Sequence, residues 1–256
     1  MSVAVMMEAM PTTTLLLLHG FTNTGASWAG VQGALPQSYR PVAPDIRGHG
    51  RASGVRPVSL DGVIADVDAL APGFFELAGY SMGGRLALHV ALALPDRVTR
   101  LVLMGASPGL ADAAERAARR AADDRLAGEV ETMSIEQFAA RWARTPVLAD
   151  QPPEVQVAVG EDRLRNTPAG LAAALRGLGT GALPSLWDRL DEIRIPVLLV
   201  VGERDAKFRA TAERMAAELP QASVEVVAGA GHAVHLEDPG AAAGAIASAG
   251  AARRPG

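Results

Sequence analysis

Apolar runs of strand length alternate along this chain with helical patterns, and that alternation restricts it to βαβ units built on a parallel sheet. The runs are Thr12 to Leu18, Pro41 to Ala43, Phe74 to Ala78, Val98 to Met104, Val197 to Val201 and Ser223 to Val227. Each is bounded by Gly, Pro or a charged residue. Nearly unbroken apolar strands suit a sheet covered by helices on both faces. Two helical stretches have clear stops, Met82 to Leu94 before Pro95 and Arg209 to Leu219 before Pro220. From about Pro108 to Leu183 the alternation gives way to Ala- and Arg-rich helical sequence without a strand. The expected organisation is an α/β core domain, residues 1–107 and 184–256, with a helical lid or cap, residues 108–183, inserted between two strands.

The 256 residues suffice for one large core. A net charge of −4 offers no basic surplus to nucleic acid, and no Lys/Arg-rich stripe suits a membrane surface. An anionic ligand would have to be held by a local cluster of basic residues. The absence of cysteine excludes disulfides, thiolate metal sites and a thiol nucleophile. Leu15 to Leu18 is too short a run to span a membrane, and Met1 to Met10 carries no Lys or Arg, so a cytoplasmic protein is expected.

Gly79-Tyr80-Ser81-Met82-Gly83 fits G-x-S-x-G in the context the motif requires, after a strand and opening a helix. A sharp turn there exposes the serine hydroxyl at a helix N-terminus, where the dipole favours negative charge. Gly105-Ala106-Ser107-Pro108-Gly109 fits the same pattern. However, an oxyanion hole takes one N–H from the residue after the nucleophile, and Pro108 has none. Ser81 is therefore the candidate. The hole would be formed by the N–H groups of Met82 and of Phe21, which follows the first strand in His19-Gly20-Phe21.

On this architecture the order is serine, acid, histidine. Of five histidines, only His232 and His235 fall late enough, and His232 has the glycines of a tight loop in Gly229-Ala230-Gly231-His232. His235 could orient that loop; His19 and His49 read as positional, His89 as packing or surface. Asp205, just past the fifth strand in Gly202-Glu203-Arg204-Asp205, is the candidate acid, with Glu203 its local rival.

With these residues in place, the chain resembles the 2-succinyl-6-hydroxy-2,4-cyclohexadiene-1-carboxylate synthase family of menaquinone biosynthesis, within the α/β-hydrolase fold. The resemblance is carried by Leu18-His19-Gly20-Phe21, Asp45-Ile46-Arg47-Gly48-His49-Gly50 and the serine motif continued through Gly84-Arg85-Leu86-Ala87-Leu88. It extends through Glu115-Arg116-Ala117-Ala118-Arg119 with Asp123 or Asp124 following, Phe138-Ala139-Ala140-Arg141-Trp142 before Pro146, Arg165-Asn166 and Leu175-Arg176-Gly177-Leu178-Gly179-Thr180-Gly181. Gly202-Glu203-Arg204-Asp205-Ala206-Lys207-Phe208 and Ala230-Gly231-His232 complete it. It implies a lyase that eliminates pyruvate from 2-succinyl-5-enolpyruvyl-6-hydroxy-3-cyclohexene-1-carboxylate, with Ser81, activated by His232 and Asp205, as the base and no metal or organic cofactor. Such a small polycarboxylate substrate needs fixed cations, and Arg85, one helical turn past Ser81, with Arg119 and Arg165 in the lid, would supply them. Tyr80 and Trp142 would line the pocket. Arg119 has a plainer use as well, pairing with Glu115 or Asp123 along an exposed helix face. The alternatives are an esterase or carbon–carbon-bond hydrolase with the same triad, and a non-catalytic ligand receptor.

Overall fold

The structure, a computed structural model, describes residues 12–145, 148 and 151–251. The expectations for Met1 to Met10 and the position of Pro146 lie outside the described residues. Among the described residues six strands form one sheet: β1 (Thr13–Leu18), β2 (Tyr39–Val42), β3 (Phe75–Tyr80), β4 (Val98–Met104), β5 (Val197–Gly202) and β6 (Ala222–Val227). Their order is β2-β1-β3-β4-β5-β6 and every pairing is parallel. The chain steps outward from β1 to β2, then returns past β1 to begin β3. The order therefore reverses between β1 and β3, and ligands of open parallel sheets bind outside the carboxyl ends of strands at such a reversal.

Side chains of successive strand residues enter opposite layers. Leu16 and Leu18 of β1 pack with Val63 and Val67 of α2 (Leu60–Leu70), Leu86 and Val90 of α3 (Met82–Ala93), and Met215 of the helix Ala206–Glu218. Leu15 and Leu17 pack instead with Trp28, with Val31 of α1 (Ala29–Ala34), and with Ala242 and Ile246 of the C-terminal helix Pro239–Ala251. All four leucines are buried, the period-two signature of a sheet covered on both faces.

The stretch between β4 and β5 holds α4 (Ala113–Glu131), α5 (Ile135–Trp142), α6 (Pro153–Arg163) and α7 (Pro168–Leu178). Local chemistry sets their starts. Asp112 caps α4 by accepting the Glu115 N–H, Ser134 and Gln137 form a reciprocal capping box on α5, and Thr167 caps α7 ahead of Pro168. Ala127 and Val130 of α4, Phe138 of α5, and Leu171 and Leu175 of α7 close into a small separate core, with Phe21 and Trp142 packed against it. The remaining α-helices among the described residues are α8 (Ala206–Glu218), α9 (Val234–Glu237) and α10 (Pro239–Ala251). No helix among the described residues is long and apolar enough to cross a membrane.

Burial pulls several histidines far below their ordinary range: His49 and His235 to about 3 and His89 to about 4, from 6.5. The unfolded chain thus binds these protons at higher pH than the folded one. Stability should hold above about pH 6.5 and decline as pH falls towards 4, at about 1.4 kcal/mol per pH unit for each such group. Melting temperatures measured across that interval should fall steadily; a flat profile would show that these rings are not held neutral in the fold.

Candidate active site

Ser81 stands between β3 and α3 with φ 50° and ψ −109°, a strained conformation for a residue with a side chain. Packing enforces it. A β-carbon on Gly83 would lie 2.1 Å from the Leu18 carbonyl oxygen, and one on Gly79 would lie 2.5 Å from that of Gly83. These glycines let α3 press against β1, so the chain turns sharply and Ser81 is left at the crest. Its N–H donates to Met104 at 2.9 Å and its carbonyl accepts from Arg85 at 3.1 Å.

His232 reaches this crest from the loop after β6. Its Nε2 is 3.4 Å from Ser81 Oγ and its Nδ1 is 2.6 Å from Asp205 Oδ2. Asp205 is also the N-cap of α8, its Oδ1 accepting the Phe208 N–H at 3.3 Å. Capping fixes the carboxylate so that the other oxygen faces the imidazole. Glu203, the rival acid, is exposed and turned away, with Oε2 accepting the Gly229 N–H at 2.8 Å. Phe208 lies along one side of the His232 ring, with centroids 4.4 Å apart.

The second serine motif has another use. Gly105 has φ +53°, and a β-carbon there would come within 2.9 Å of His232 Cε1. That glycine seats the imidazole. The other histidines are structural: His19 Nε2 accepts the Ile46 N–H at 2.9 Å, and His235 is packed between the rings of Trp28 and Tyr80.

Among the described residues, two chambers at Ser81 share Phe21 and Trp142 in their lining. The first, about 140 Å³, is also lined by Met82, Arg85 and Arg119. Arg85 is buried; Nη2 donates to the Leu178 carbonyl at 3.2 Å and Nε has no partner among the described residues. Burial, reinforced by Arg119, lowers its pKa to about 10, so it remains a cation at neutral pH. Arg119 makes the i, i+4 ion pair with Asp123 at 2.7 Å and still borders the chamber. The N–H groups of Phe21 and Met82 have no acceptor among the described residues, and both residues line the chamber with Ser81.

The second chamber, about 70 Å³, is lined by Tyr80, His232 and Arg163. Burial raises the Tyr80 phenol, which stays protonated. Here the expectation for Arg165 is corrected. Arg165 is 62% exposed, lies 3.7 Å from Asp162, and lines a separate outer cavity with Asp45 and Arg51. Arg163, 4% exposed, takes the inward place. The chain is still turning at the end of α6, so residues two apart point to opposite sides. Val155, Val159 and Arg163 share the buried face, a period of four that would have identified Arg163 from sequence. Asp162 and Asn166 fix this end of α6 to the loop after β1: Asp162 accepts the Thr24 N–H at 2.8 Å, and Asn166 Nδ2 donates to the Thr22 carbonyl at 2.8 Å.

Residues 15–245 match the Alpha/beta hydrolase family. A Bacillus subtilis (strain 168) protein provisionally named 2-succinyl-6-hydroxy-2,4-cyclohexadiene-1-carboxylate synthase is 40% identical over 88% of this chain and 85% of its own length. The synthase of that name from Klebsiella pneumoniae subsp. pneumoniae is 32% identical over 91% of this chain and 92% of its own. Among solved structures, MenH from S. aureus aligns with a TM-score of 0.87 and 31% identity, covering 93% of this chain and 92% of that one. A thermophilic esterase from Thermogutta terrifontis, with malate bound, aligns with a TM-score of 0.80 and 26% identity, covering 92% and 88%.

Proposed function

We propose that this chain, which belongs to the α/β-hydrolase family and within it to the 2-succinyl-6-hydroxy-2,4-cyclohexadiene-1-carboxylate synthases, is a lyase that eliminates pyruvate from 2-succinyl-5-enolpyruvyl-6-hydroxy-3-cyclohexene-1-carboxylate in menaquinone biosynthesis. Within that reading, the observation that carries the substrate assignment is the opening of Ser81 onto a chamber that also holds Arg85 and Arg119.

The two compound names define the electron flow. The substrate has one ring double bond, at C3, and an enol ether oxygen on C5; the product has double bonds at C2 and C4. The proton must leave C2. Its electron pair forms C2=C3, the old double bond moves to C4=C5, and the C5–O bond breaks with its electrons on the enolpyruvate oxygen. That oxygen gains a proton, and the enol becomes pyruvate. C2 bears the succinyl carbonyl, so negative charge develops on that oxygen.

In this reading Ser81 takes the C2 proton while its own passes to His232 Nε2, and the proton then returns to the leaving oxygen. Asp205 holds Nδ1 and stabilises the imidazolium. The Phe21 and Met82 N–H groups face the carbonyl oxygen as its charge grows. Arg85, Arg119 and the inward Arg163 hold substrate carboxylates; guanidinium groups bind them in paired hydrogen bonds. Tyr80 and Trp142 supply the walls, and α4–α7 act as the lid.

The malate-bound esterase neighbour supports a second reading, ester hydrolysis with the same serine. Arg85→Ala separates the two. A guanidinium–carboxylate contact in a partly dry cleft is worth about 1.5–3 kcal/mol, so kcat/KM for the enolpyruvyl substrate should fall roughly 10- to 150-fold. Any turnover of a neutral aryl ester should change far less. Equal losses on both substrates would mean that Arg85 braces α3 and holds no carboxylate.

A further inference from the structure

The side chain of Glu237, at the end of α9, is 3% exposed, although the reading above gives it no task. Its carboxylate straddles the backbone on either side of His232. Oε2 accepts the Gly231 N–H at 2.7 Å and Oε1 accepts the Ala233 N–H at 3.1 Å. A β-carbon on Gly231 would come within 3.0 Å of Oε1 and 3.1 Å of Oε2, so glycine there admits the carboxylate.

Oε2 accepts a further bond, from Arg204 Nη2 at 2.8 Å. Arg204 directly precedes Asp205. It also donates from Nε to the Gly229 carbonyl at 2.9 Å and from its backbone N–H to the Ala230 carbonyl at 2.9 Å. One buried carboxylate thus joins the loop that carries the acid to the loop that carries the histidine. Neither loop is held at this point by a strand ladder, and buried N–H groups need acceptors. With no clamp, His232 would keep its chemistry but lose its fixed distance to Asp205 and Ser81.

We infer that Glu237 is a positioning residue for His232: by accepting the N–H groups on both sides of that residue, and by its bond to Arg204, it fixes the backbone that carries the imidazole into the Asp205–His232–Ser81 alignment. The inference rests on the proposed role of His232, and the experiment below keeps the two apart.

Glu237→Gln is the near-isosteric test. A glutamine offers one carbonyl oxygen, and its amide group would place a donor against one of the two N–H groups. The expected result is a kcat lowered roughly 10- to 100-fold, the range for misplacement of a reacting group by about an ångström, with KM changed less than about twofold. The downfield proton resonance of the His232 Nδ1–H···Asp205 bond, expected in the wild-type protein, should be lost or broadened. Arg204→Gln, which leaves both backbone contacts intact, should act in the same direction but more weakly, and serves if Glu237→Gln does not fold. The NMR readout needs no substrate, so it tests the clamp even if the wild-type protein releases no pyruvate, which would count against the lyase reading alone. A folded Glu237→Gln protein with wild-type kcat, or one that keeps the downfield resonance, would overturn the inference. If only Arg204→Gln folds, its retention of both wild-type kcat and the resonance would do so.

Discussion

Ser81→Ala should fold with an unchanged melting temperature and lose at least about 10³-fold in kcat for pyruvate release. The two halves of that expectation have separate causes. Alanine keeps the β-carbon, so the strain at φ 50° stays as it was, and the Gly79 and Gly83 contacts that enforce the turn do not involve the hydroxyl. What disappears is the one oxygen placed 3.4 Å from His232 Nε2. The imidazole remains in its socket against Phe208 and Gly105, yet no group relays its basicity to the substrate. Steady-state assay beside a melting curve checks both halves. A variant retaining more than about a tenth of the wild-type kcat would remove Ser81 from the base role.

Asp205→Asn should reduce kcat by about 10²- to 10⁴-fold with little change in stability. Asparagine is as good a helix N-cap as aspartate, so its oxygen should continue to accept the Phe208 N–H and hold the start of α8. That choice turns the amide nitrogen towards His232 Nδ1. A donor there selects the tautomer with its proton on Nε2, which cannot accept the proton of Ser81. Glu203→Gln should be nearly silent, within about twofold, because among the described residues the Glu203 carboxylate accepts from the Gly229 N–H, which a glutamine oxygen serves equally. Kinetics on the two variants side by side decide the assignment. Loss in Glu203→Gln with none in Asp205→Asn would reverse it.

Most of the sheet was legible because its interior strands are apolar on both faces, and the pattern placed their limits within two residues of those found. The edge strand β2 was read as Pro41 to Ala43 but runs from Tyr39 to Val42; it is only half-buried, so its sequence has little apolar contrast. Glycine and proline made the serine turn readable and exposed Ser107 as a decoy through Pro108. Chain order pointed to His232 and Asp205, which the fold brings to 2.6 Å. The arginines were harder, since guanidinium chemistry is identical at 163 and 165 and only the helical register of α6 separates them. The Pro-rich approach to that helix hides its start. Glu237 left no sequence signal of its own, because its meaning lies in two backbone N–H groups that only the folded loop turns towards it.

The most direct test of the lyase account is to incubate the wild-type protein with 2-succinyl-5-enolpyruvyl-6-hydroxy-3-cyclohexene-1-carboxylate and follow pyruvate and the ultraviolet absorbance of a conjugated ring diene together. Pyruvate alone does not suffice, since hydrolysis of the enol ether would also release it while leaving a hydroxyl on C5. Elimination predicts that pyruvate and diene appear in equal amounts and at equal rates. Pyruvate without diene, or neither product while an aryl ester is turned over, would contradict it.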